Sequence, residues 1–402
     1  MTRTLSPRTI ELVKATLPAL QAHGLDVVHE MYARMFRDPE IRDLFNQSHQ
    51  GVSDAQPRAL TGAILAYAAN IDNLSALAPA VERIAQKHVG LQILPEHYPH
   101  VADALLGAIG HVLGDAATPE ILAAWGEAYW FLADILIARE RRVYDDQAAA
   151  SGGWNGWRDF RIAEVIRESN VITSFLLRPV DGGPVMLHKP GQYLSFSIEI
   201  DGHAPAKRNY SISSAPDRAG YRISVKAEPL GLVSRWLHAQ PAGTVLKVAA
   251  PAGEFCLEEL PPRPAVLLSG GVGLTPMVSM LEWLVAQGAR QPVHYIHGTH
   301  DRDSHAMRDH IRALAAQGHA VQVSDFHQSP LPDEVAGRDY DQAGLITDDW
   351  LLAHTPGAAA DYYICGPRPF LRAAVLALSR AGVPSGRIHY EFFGPADELL
   401  AA

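Results

Sequence analysis

Up to about residue 150, apolar side chains recur at intervals of three and four positions, which places them on one face of an α-helix. Prolines and short polar stretches interrupt the pattern and mark helix ends. Alternation typical of a strand is not found here. The pattern predicts an all-α domain over residues 1–147, with helical runs that include residues 25–36, 60–71, 101–112 and 121–136.

After the small, flexible segment 148–153, apolar positions alternate with polar ones, as in strands with one buried face. Residues 194–200 and 221–225 show this alternation, and turns rich in glycine and proline separate the runs. The pattern predicts an antiparallel β-barrel over residues 155–262.

A proline-rich joint at residues 261–264 precedes short apolar strands that alternate with helices. We expect strands at residues 265–268, 293–296, 321–323 and 362–364, and a helix from Pro276. This βαβ order predicts a doubly wound α/β domain over residues 263–402.

The composition is that of a globular protein, and it narrows the set of partners. A chain of 402 residues exceeds one ordinary core, and its net charge of −10 argues against a nucleic-acid partner. Two cysteines allow no disulfide framework and are typical of a reducing compartment. The first residues lack the apolar run of a signal peptide, and no stretch approaches about 18 consecutive apolar residues. We therefore expect a cytoplasmic protein without a membrane span.

A glycine loop leaves the first strand of the α/β domain and enters a helix. It comprises Gly270, Gly271, Val272, Gly273, Leu274, Thr275 and Pro276. Glycines let the backbone approach a pyrophosphate, the helix N-terminus supplies free N–H groups, and Pro276 fits a first helical turn. Taken alone, the loop fits a dinucleotide site and an ordinary strand-to-helix turn equally well.

A second motif, Arg208-Asn209-Tyr210-Ser211, falls within the barrel. An arginine can bind a phosphate through two N–H groups, an aromatic ring can stack on a flavin, and a serine can hydrogen-bond a ring nitrogen. A barrel strand whose residues alternate inward and outward would give the same four residues. The motif by itself therefore leaves both interpretations open.

The order of these features over residues 155–402 resembles the ferredoxin–NADP reductase superfamily, because a Cys365-Gly366-Pro367-Arg368-Pro369-Phe370 segment follows the glycine loop. The resemblance implies FAD and NAD(P)H as cofactors, without distinguishing NADH from NADPH. It assigns FAD to Gln192, Tyr193, Arg208, Asn209, Tyr210 and Ser211, with Gly231 and Ser234 at its pyrophosphate and Glu391, Phe392, Phe393, Gly394 and Pro395 over the flavin ring. It assigns the nicotinamide dinucleotide to the glycine loop and to Cys365, Gly366 and Pro367.

The helical domain contains one histidine in an apolar setting. His88 shares a helix face with Val81 and Ile84 shortly before a break at Pro95, whereas the other histidines of this domain lie in polar or loop contexts. On spacing alone, a packed core histidine fits better than a metal ligand.

Together with the reductase-like part, the helical domain resembles a bacterial globin, and the whole chain resembles the flavohaemoglobins. The resemblance rests on residues 84–88, on Tyr390-Glu391-x-Phe393-Gly394-Pro395, and on the positions of Tyr32, Phe45, Gln56, Tyr98 and Glu140. It implies haem b bound to iron through His88, with Phe45 against the porphyrin and Lys87 in the haem pocket. It also implies that Tyr32 hydrogen-bonds dioxygen beside Gln56 and Leu60, and that Tyr98 and Glu140 form a relay to the other ring nitrogen of His88.

Such a relay has a clear physical consequence. A hydrogen bond from the second imidazole nitrogen increases the electron density that the histidine gives to iron, which favours O–O chemistry over reversible storage. The alternative is that Glu140 is a surface charge and Tyr98 a packed aromatic residue.

The resemblance implies a nitric oxide dioxygenase that converts nitric oxide and O₂ to nitrate at a haem kept ferrous by electrons from NAD(P)H through FAD. Two other functions stay open: an oxygen-binding or sensing globin with its own reductase, and a general reductase of flavins, ferric chelates or quinones. We expect a monomer. The Ala-, Leu- and Ile-rich helices also leave open a lipid or another apolar ligand in the distal haem pocket.

Overall fold

Helices form the first part of the chain, as the apolar spacing predicts. The structure is a computed structural model that describes residues 4–45, 54–318 and 320–394, and its first unit consists mainly of the chain up to Ala149 and also includes Glu199–Lys207. The core of this unit includes Val13, Leu20, Val27 and Trp125. The all-α prediction is confirmed, with α1 (Pro7–Ala15), α2 (Leu17–Met35), α3 (Pro39–Arg42), α4 (Ala55–Ala69), α5 (Ala78–Gly90), α6 (Tyr98–Leu113) and α7 (Pro119–Ala149).

Helix α7 is the one helix in the described ranges that is long and apolar enough to cross a membrane, by length and composition alone. A single helix of this kind is weak evidence for a membrane span, because the core helices of globular proteins pass the same test. Ala124, Trp125 and Ala128 of α7 are buried in the core cluster of the helical unit. This burial gives the apolar character of α7 a structural reason within the unit.

An antiparallel sheet opens the second unit, which begins at Ala150. Its elements are β1 (Arg158–Arg167), β2 (Ile172–Pro179), β3 (Tyr193–Ile198), β4 (Ala206–Ser211), β5 (Tyr221–Lys226), the short helix α8 (Leu232–His238) and β6 (Val245–Val248). The strands follow the order β4-β3-β6-β1-β2-β5, and a bridge between Ile212 and Ile223 joins the end of β4 to β5, so the two outermost strands meet. This closure confirms the predicted barrel.

A parallel six-stranded sheet with interspersed helices follows, as the βαβ pattern predicts. Its elements are β7 (Ala265–Gly270), α9 (Leu274–Ala286), β8 (Val293–Thr299), α10 (Arg308–Gln317), β9 (Val321–His327), β10 (Gln342–Ala343), α11 (Asp348–His354), β11 (Asp361–Cys365), α12 (Arg368–Arg380) and β12 (Ile388–Glu391). The strand order is β10-β9-β8-β7-β11-β12. The order reverses direction at β7, between β8 and β11, and ligands of such sheets bind outside the carboxyl ends of the strands at this point.

Helix α9 begins at Leu274, two residues before the predicted start at Pro276. The sequence prediction was wrong here because Gly271–Gly273 form a turn of 3₁₀-helix that leads into α9. Pro276 still lies in the first turn, where its missing N–H leaves no hydrogen bond unmade.

The glycine loop packs directly against the end of β11. Ser269 of β7 pairs in register with Cys365 of β11, and a Cβ atom on Gly273 would lie 2.2 Å from the carbonyl oxygen of Cys365. Because the obstacle is backbone rather than a flexible side chain, only glycine fits this position. The packing of the sheet therefore fixes how the loop enters α9.

We expect Gly273→Ala to lower the free energy of unfolding of the second unit by roughly 1–3 kcal/mol, because the added methyl group forces β7 and β11 apart. The measurement is denaturant unfolding followed through flavin release. Gly386→Ala is the matched control, since a Cβ atom there meets nothing within 4 Å. Equal midpoints for the two variants would contradict this account of the loop.

Candidate functional site

The structure brings His88, Tyr98 and Glu140 together from three helices. Nδ1 of His88 on α5 lies 2.7 Å from Oε1 of Glu140 on α7, and the Tyr98 hydroxyl on α6 donates to the same oxygen at 2.6 Å. Glu140 and Tyr98 are 2% and 5% exposed. Glu140 is thus a buried carboxylate, which rules out the surface-charge interpretation that the sequence left open.

The hydrogen bonds fix the tautomer of His88. Burial and the charge of Glu140 raise the pKa of Tyr98, so the phenol keeps its proton and donates it. An ionised carboxylate only accepts, so His88 Nδ1 carries a hydrogen and donates it to Glu140. In a neutral imidazole with this tautomer, Nε2 has the lone pair. A neutral imidazole that is oriented by a carboxylate is the donor set that a haem iron takes from protein, so the residues present fit a haem.

Aromatic side chains surround Tyr32 on α2. Its ring stacks on Phe36 with centroids 5.2 Å apart and meets Phe45 edge-on at 5.7 Å. Burial raises the pKa of Tyr32 to about 12, although a hydrogen bond with Gln56 acts in the opposite direction. The phenol is therefore protonated at neutral pH and can donate a hydrogen bond.

The predicted pocket residues differ in their surroundings. Leu60 and Phe45 are half-buried and pack against the same core cluster as Tyr32. Half-buried apolar side chains of this kind offer the surface that a flat, apolar porphyrin requires. Lys87, by contrast, is exposed on α5. Phe36 lies on the same helix face as Tyr32, one turn further along, and this spacing is the signal that could have added it to the predicted pocket.

The Arg208–Ser211 motif forms the last four residues of β4. It is therefore part of a barrel strand, which was one of the two interpretations that the sequence left open. Alternation along the strand places Arg208 and Tyr210 on one face and Asn209 and Ser211 on the other. Tyr210 is half-buried edge-on against Phe196 at 5.6 Å, and burial raises its pKa to about 12. Asn209 accepts a hydrogen bond from Ser195 at 2.8 Å. Arg208 and Tyr210 thus pair a cation with an aromatic ring, which fits a flavin nucleotide.

Other predicted flavin residues of the barrel lie just before β3 and at the start of α8. The Gln192 side chain is buried, accepts from the backbone N–H of Lys189 and donates to Gly253. Gly231 precedes α8, and a Cβ atom there would meet the Ser234 hydroxyl at 2.3 Å. That hydroxyl accepts from the N–H of Glu228. Gly231 and Ser234 therefore shape one tight turn.

In the glycine loop only part of the backbone is accessible. Gly271 has a φ of +54°, and a Cβ atom there would meet nothing within 4 Å, so a phosphate can approach its backbone closely. Thr275 is buried, and its hydroxyl donates to the carbonyl of Val272 at 3.1 Å. Leu274 and Pro276 are also buried. These three residues hold the loop in shape, whereas Gly271 and Val272 remain open to a ligand.

Glu391 of the C-terminal motif lies close to one predicted flavin residue and one predicted nucleotide residue. Burial and the negative charge of Glu391 raise the pKa values of Tyr193 and Cys365, so this carboxylate lies near a predicted flavin residue and a predicted nucleotide residue. Arg368 lies over the ring of Phe392, 5.5 Å from its centroid. Phe393 is about half exposed, and Gly394 donates its N–H to the carbonyl of Phe392. Pro395, which the sequence also assigned to FAD, falls outside the described residues.

Two other features of the structure carry no candidate chemistry. A cavity of about 520 Å³ lies at the amino ends of β7, β8 and β9, on the opposite edge of the sheet from the glycine loop. None of the predicted residues lines it. Over the described ranges, no group of three or more His, Cys, Asp or Glu side chains could hold a metal ion by itself.

Three family models match the chain in the order of its domains. Residues 29–136 match the globin model, residues 161–256 the oxidoreductase FAD-binding domain and residues 267–375 the oxidoreductase NAD-binding domain. The chain thus has the domains of an NAD(P)H-dependent oxidoreductase fused to a globin, with haem, FAD and a nicotinamide dinucleotide as its cofactors.

Similar proteins share this arrangement over their full length. The chain is 52% identical to a flavohemoprotein of Xylella fastidiosa over 403 residues, covering 100% of both chains, and 44% identical to one of Rhodopirellula baltica, covering 99% of this chain and 100% of the relative. A solved structure of flavohemoglobin from Malassezia yamatoensis, with bound FAD and heme, superposes with a TM-score of 0.88 at 27% identity and covers 97% of this chain and 100% of that one. The FAD/NAD-binding domain of a nitric oxide dioxygenase from Vibrio cholerae matches 60% of this chain with its full length, at 36% identity and a TM-score of 0.54. The chain therefore belongs to the flavohemoprotein family.

Proposed function

We propose that the chain is a nitric oxide dioxygenase, which uses NAD(P)H to convert nitric oxide and O₂ to nitrate. The observation that carries the proposal is the buried carboxylate of Glu140, which accepts hydrogen bonds from both His88 and Tyr98. A storage or sensing globin has no need to increase the electron density on its axial ligand, whereas O–O chemistry does. The Vibrio cholerae relative that is named a nitric oxide dioxygenase supports the same reading.

We assign a task to each part of the chain. Residues 1–147 would hold haem b through Nε2 of His88, residues 155–262 would hold FAD, and residues 263–402 would bind the nicotinamide dinucleotide. When bound, these groups supply hydride acceptance, single-electron transfer and activation of dioxygen. The protein supplies the orientation and the electrostatics.

Around the haem, each side chain would have a distinct role. Glu140 and Tyr98 hold the imidazole of His88 in one tautomer and one orientation. Tyr32 would donate its hydroxyl proton in a hydrogen bond to dioxygen in the pocket, with Gln56 and Leu60 beside it. Phe45 would pack against the porphyrin.

Other partners follow from charge and from the apolar lining of the pocket. The negative net charge of the chain gives a nucleic acid no attraction. An apolar ligand such as a lipid would compete for the space that Leu60 borders.

In the second unit, the strand face with Arg208 and Tyr210 would bind FAD, together with Gln192, Tyr193 and Ser211. The backbone of Gly271 and Val272 would bind the phosphates of the nicotinamide dinucleotide, and Cys365, Gly366 and Pro367 would border its nicotinamide end. Glu391, near both Tyr193 and Cys365, would lie where the two cofactors meet.

The direct test is consumption of nitric oxide in the presence of NADH, with and without O₂. We expect dioxygen-dependent formation of nitrate. In Tyr32→Phe, we expect the dissociation constant for O₂ to rise about 3- to 10-fold, as loss of one hydrogen bond predicts, and turnover to fall with it. Tyr67→Phe is the control, because Tyr67 is a buried tyrosine of the same unit whose hydroxyl donates to the carbonyl of Ala128.

The same assay separates the proposal from the two alternative functions. A sensing globin would bind O₂ but form almost no nitrate. A general reductase would oxidise NADH with ferric or quinone acceptors and consume no nitric oxide. Either result would overturn the proposal.

The relay predicts a spectroscopic change in Glu140→Gln. The amide accepts a weaker hydrogen bond than a carboxylate, so His88 gives less electron density to the iron. We expect a lower iron–histidine stretching frequency in the ferrous protein by resonance Raman, and turnover reduced by about 10-fold. Glu82→Gln, which removes a partly exposed ion pair with Arg139, should change neither quantity. An unchanged frequency in Glu140→Gln would refute the relay.

A further inference from the structure

A largely shielded carboxylate, that of Glu282 with 13% of its side chain exposed, joins the barrel to the parallel sheet within the second unit. Glu282 on α9 accepts from Nη2 of Arg222 at 2.6 Å and lies 2.7 Å from Nε2 of His310 on α10, both through Oε1. Its other oxygen, Oε2, accepts from the backbone N–H of Ala215 at 2.6 Å. Sequence reasoning missed these contacts, because Glu282 lies 60 residues from Arg222 and 67 from Ala215.

A second contact lies one turn earlier on the same helix. The hydroxyl of Ser279 donates to the carbonyl of Ser214 at 2.7 Å, and Nε2 of His188 lies 3.0 Å from that carbonyl. Arg222, for its part, donates to the carbonyl of Ser213. Helix α9 therefore binds the backbone of residues 214 and 215 directly, and Arg222 of β5 binds the backbone of Ser213.

The position of these contacts links the two motifs that the sequence singled out. One residue separates residues 213–215 from the end of β4, which carries Arg208–Ser211, and α9 begins within the glycine loop, at Leu274. A rotation of α9 would move the loop, and a shift of residues 213–215 would move the strand. The clamp, as we call Glu282, Arg222, His310 and Ser279, connects the two without belonging to either.

The charge of Glu282 is held in place by its partners. Burial alone would raise its pKa, but the hydrogen bond from His310, the charge of Arg222 and the N–H of Ala215 outweigh burial and bring the pKa below its usual value. The side chains of Glu282 and Arg222 are only 13% and 18% exposed. The ion pair is thus shielded from solvent and from salt screening.

We infer that Glu282 is a positioning residue for hydride transfer, which fixes the nicotinamide-binding loop against the flavin-binding strand. This inference rests on the proposed assignment of those two motifs to the nicotinamide dinucleotide and FAD. In the step that it serves, a hydride with its two electrons leaves NAD(P)H, which is oxidised to NAD(P)⁺, and reduces FAD. A displacement of about 1 Å between donor and acceptor costs on the order of 100-fold in rate, so a rigid connection has a large effect.

The test is anaerobic stopped-flow reduction of the FAD in the full-length holoprotein by NADH, without nitric oxide. For Glu282→Gln, we expect the limiting rate at saturating NADH to fall roughly 10- to 100-fold, while the dissociation constant for NADH changes less than about 3-fold. Hydrogen exchange supplies a readout that does not depend on activity. The amide of Ala215 should lose protection in Glu282→Gln, because Nε2 cannot accept its hydrogen bond while the amide oxygen serves Arg222.

Asp309→Asn is the matched control, since Asp309 is a fully exposed carboxylate on α10 beside His310. His310→Asn is the second variant, because the His310 side chain is 43% exposed and its replacement leaves the packing of α9 intact. We expect its limiting rate to fall at least 3-fold below that of the control.

A limiting rate for Glu282→Gln within 2-fold of Asp309→Asn, with FAD bound, would overturn the inference and leave the proposed function standing. If Glu282→Gln does not retain FAD, His310→Asn decides by the same criterion. Wild-type protein whose FAD is reduced by neither NADH nor NADPH would overturn both.

Discussion

The proposed haem site depends on one interaction, the pair of hydrogen bonds that Glu140 accepts in the interior of the helical unit. A carboxylate that is 2% exposed loses nearly all of its hydration, which costs several kcal/mol unless strong donors replace the water. His88 and Tyr98 are those donors, both to Oε1, and each comes from a different helix. The carboxylate thereby fixes the rotation of the imidazole and determines which nitrogen carries the proton. The proposed bond from His88 to the haem iron follows from that choice.

At its proposed nucleotide site, the second unit relies on backbone geometry rather than on charge. The reversal of strand order at β7 places the glycine loop beside the end of β11, and the 2.2 Å approach at Gly273 leaves room for no side chain. Leu274, Thr275 and Pro276 are buried, so they shape the loop, and Gly271 is left open. In the barrel, by contrast, side chains form the candidate flavin site, since Arg208 and Tyr210 lie on one face of β4.

The sequence predicted the elements well because their periodicities are strong. Strands β3 and β5 carry apolar residues at a spacing of two, and helices such as α7 carry them at a spacing of three and four. It predicted His88, Tyr98 and Glu140 only through a family resemblance, since spacing alone favoured a packed histidine. The start of α9 was misplaced because a 3₁₀ turn has no distinct pattern of its own. The clamp at Glu282 could not be predicted, because its partners lie on other elements and share no motif.

The central claim is that His88 commits the reductase electrons to nitric oxide chemistry. Its most direct test is His88→Ala in the full-length protein, measured by NADH-driven nitric oxide consumption and by NADH-driven reduction of ferricyanide on the same sample. The account predicts that the variant loses haem absorbance and nitric oxide consumption but reduces ferricyanide at the wild-type rate. Nitric oxide consumption at the wild-type rate in His88→Ala would contradict it.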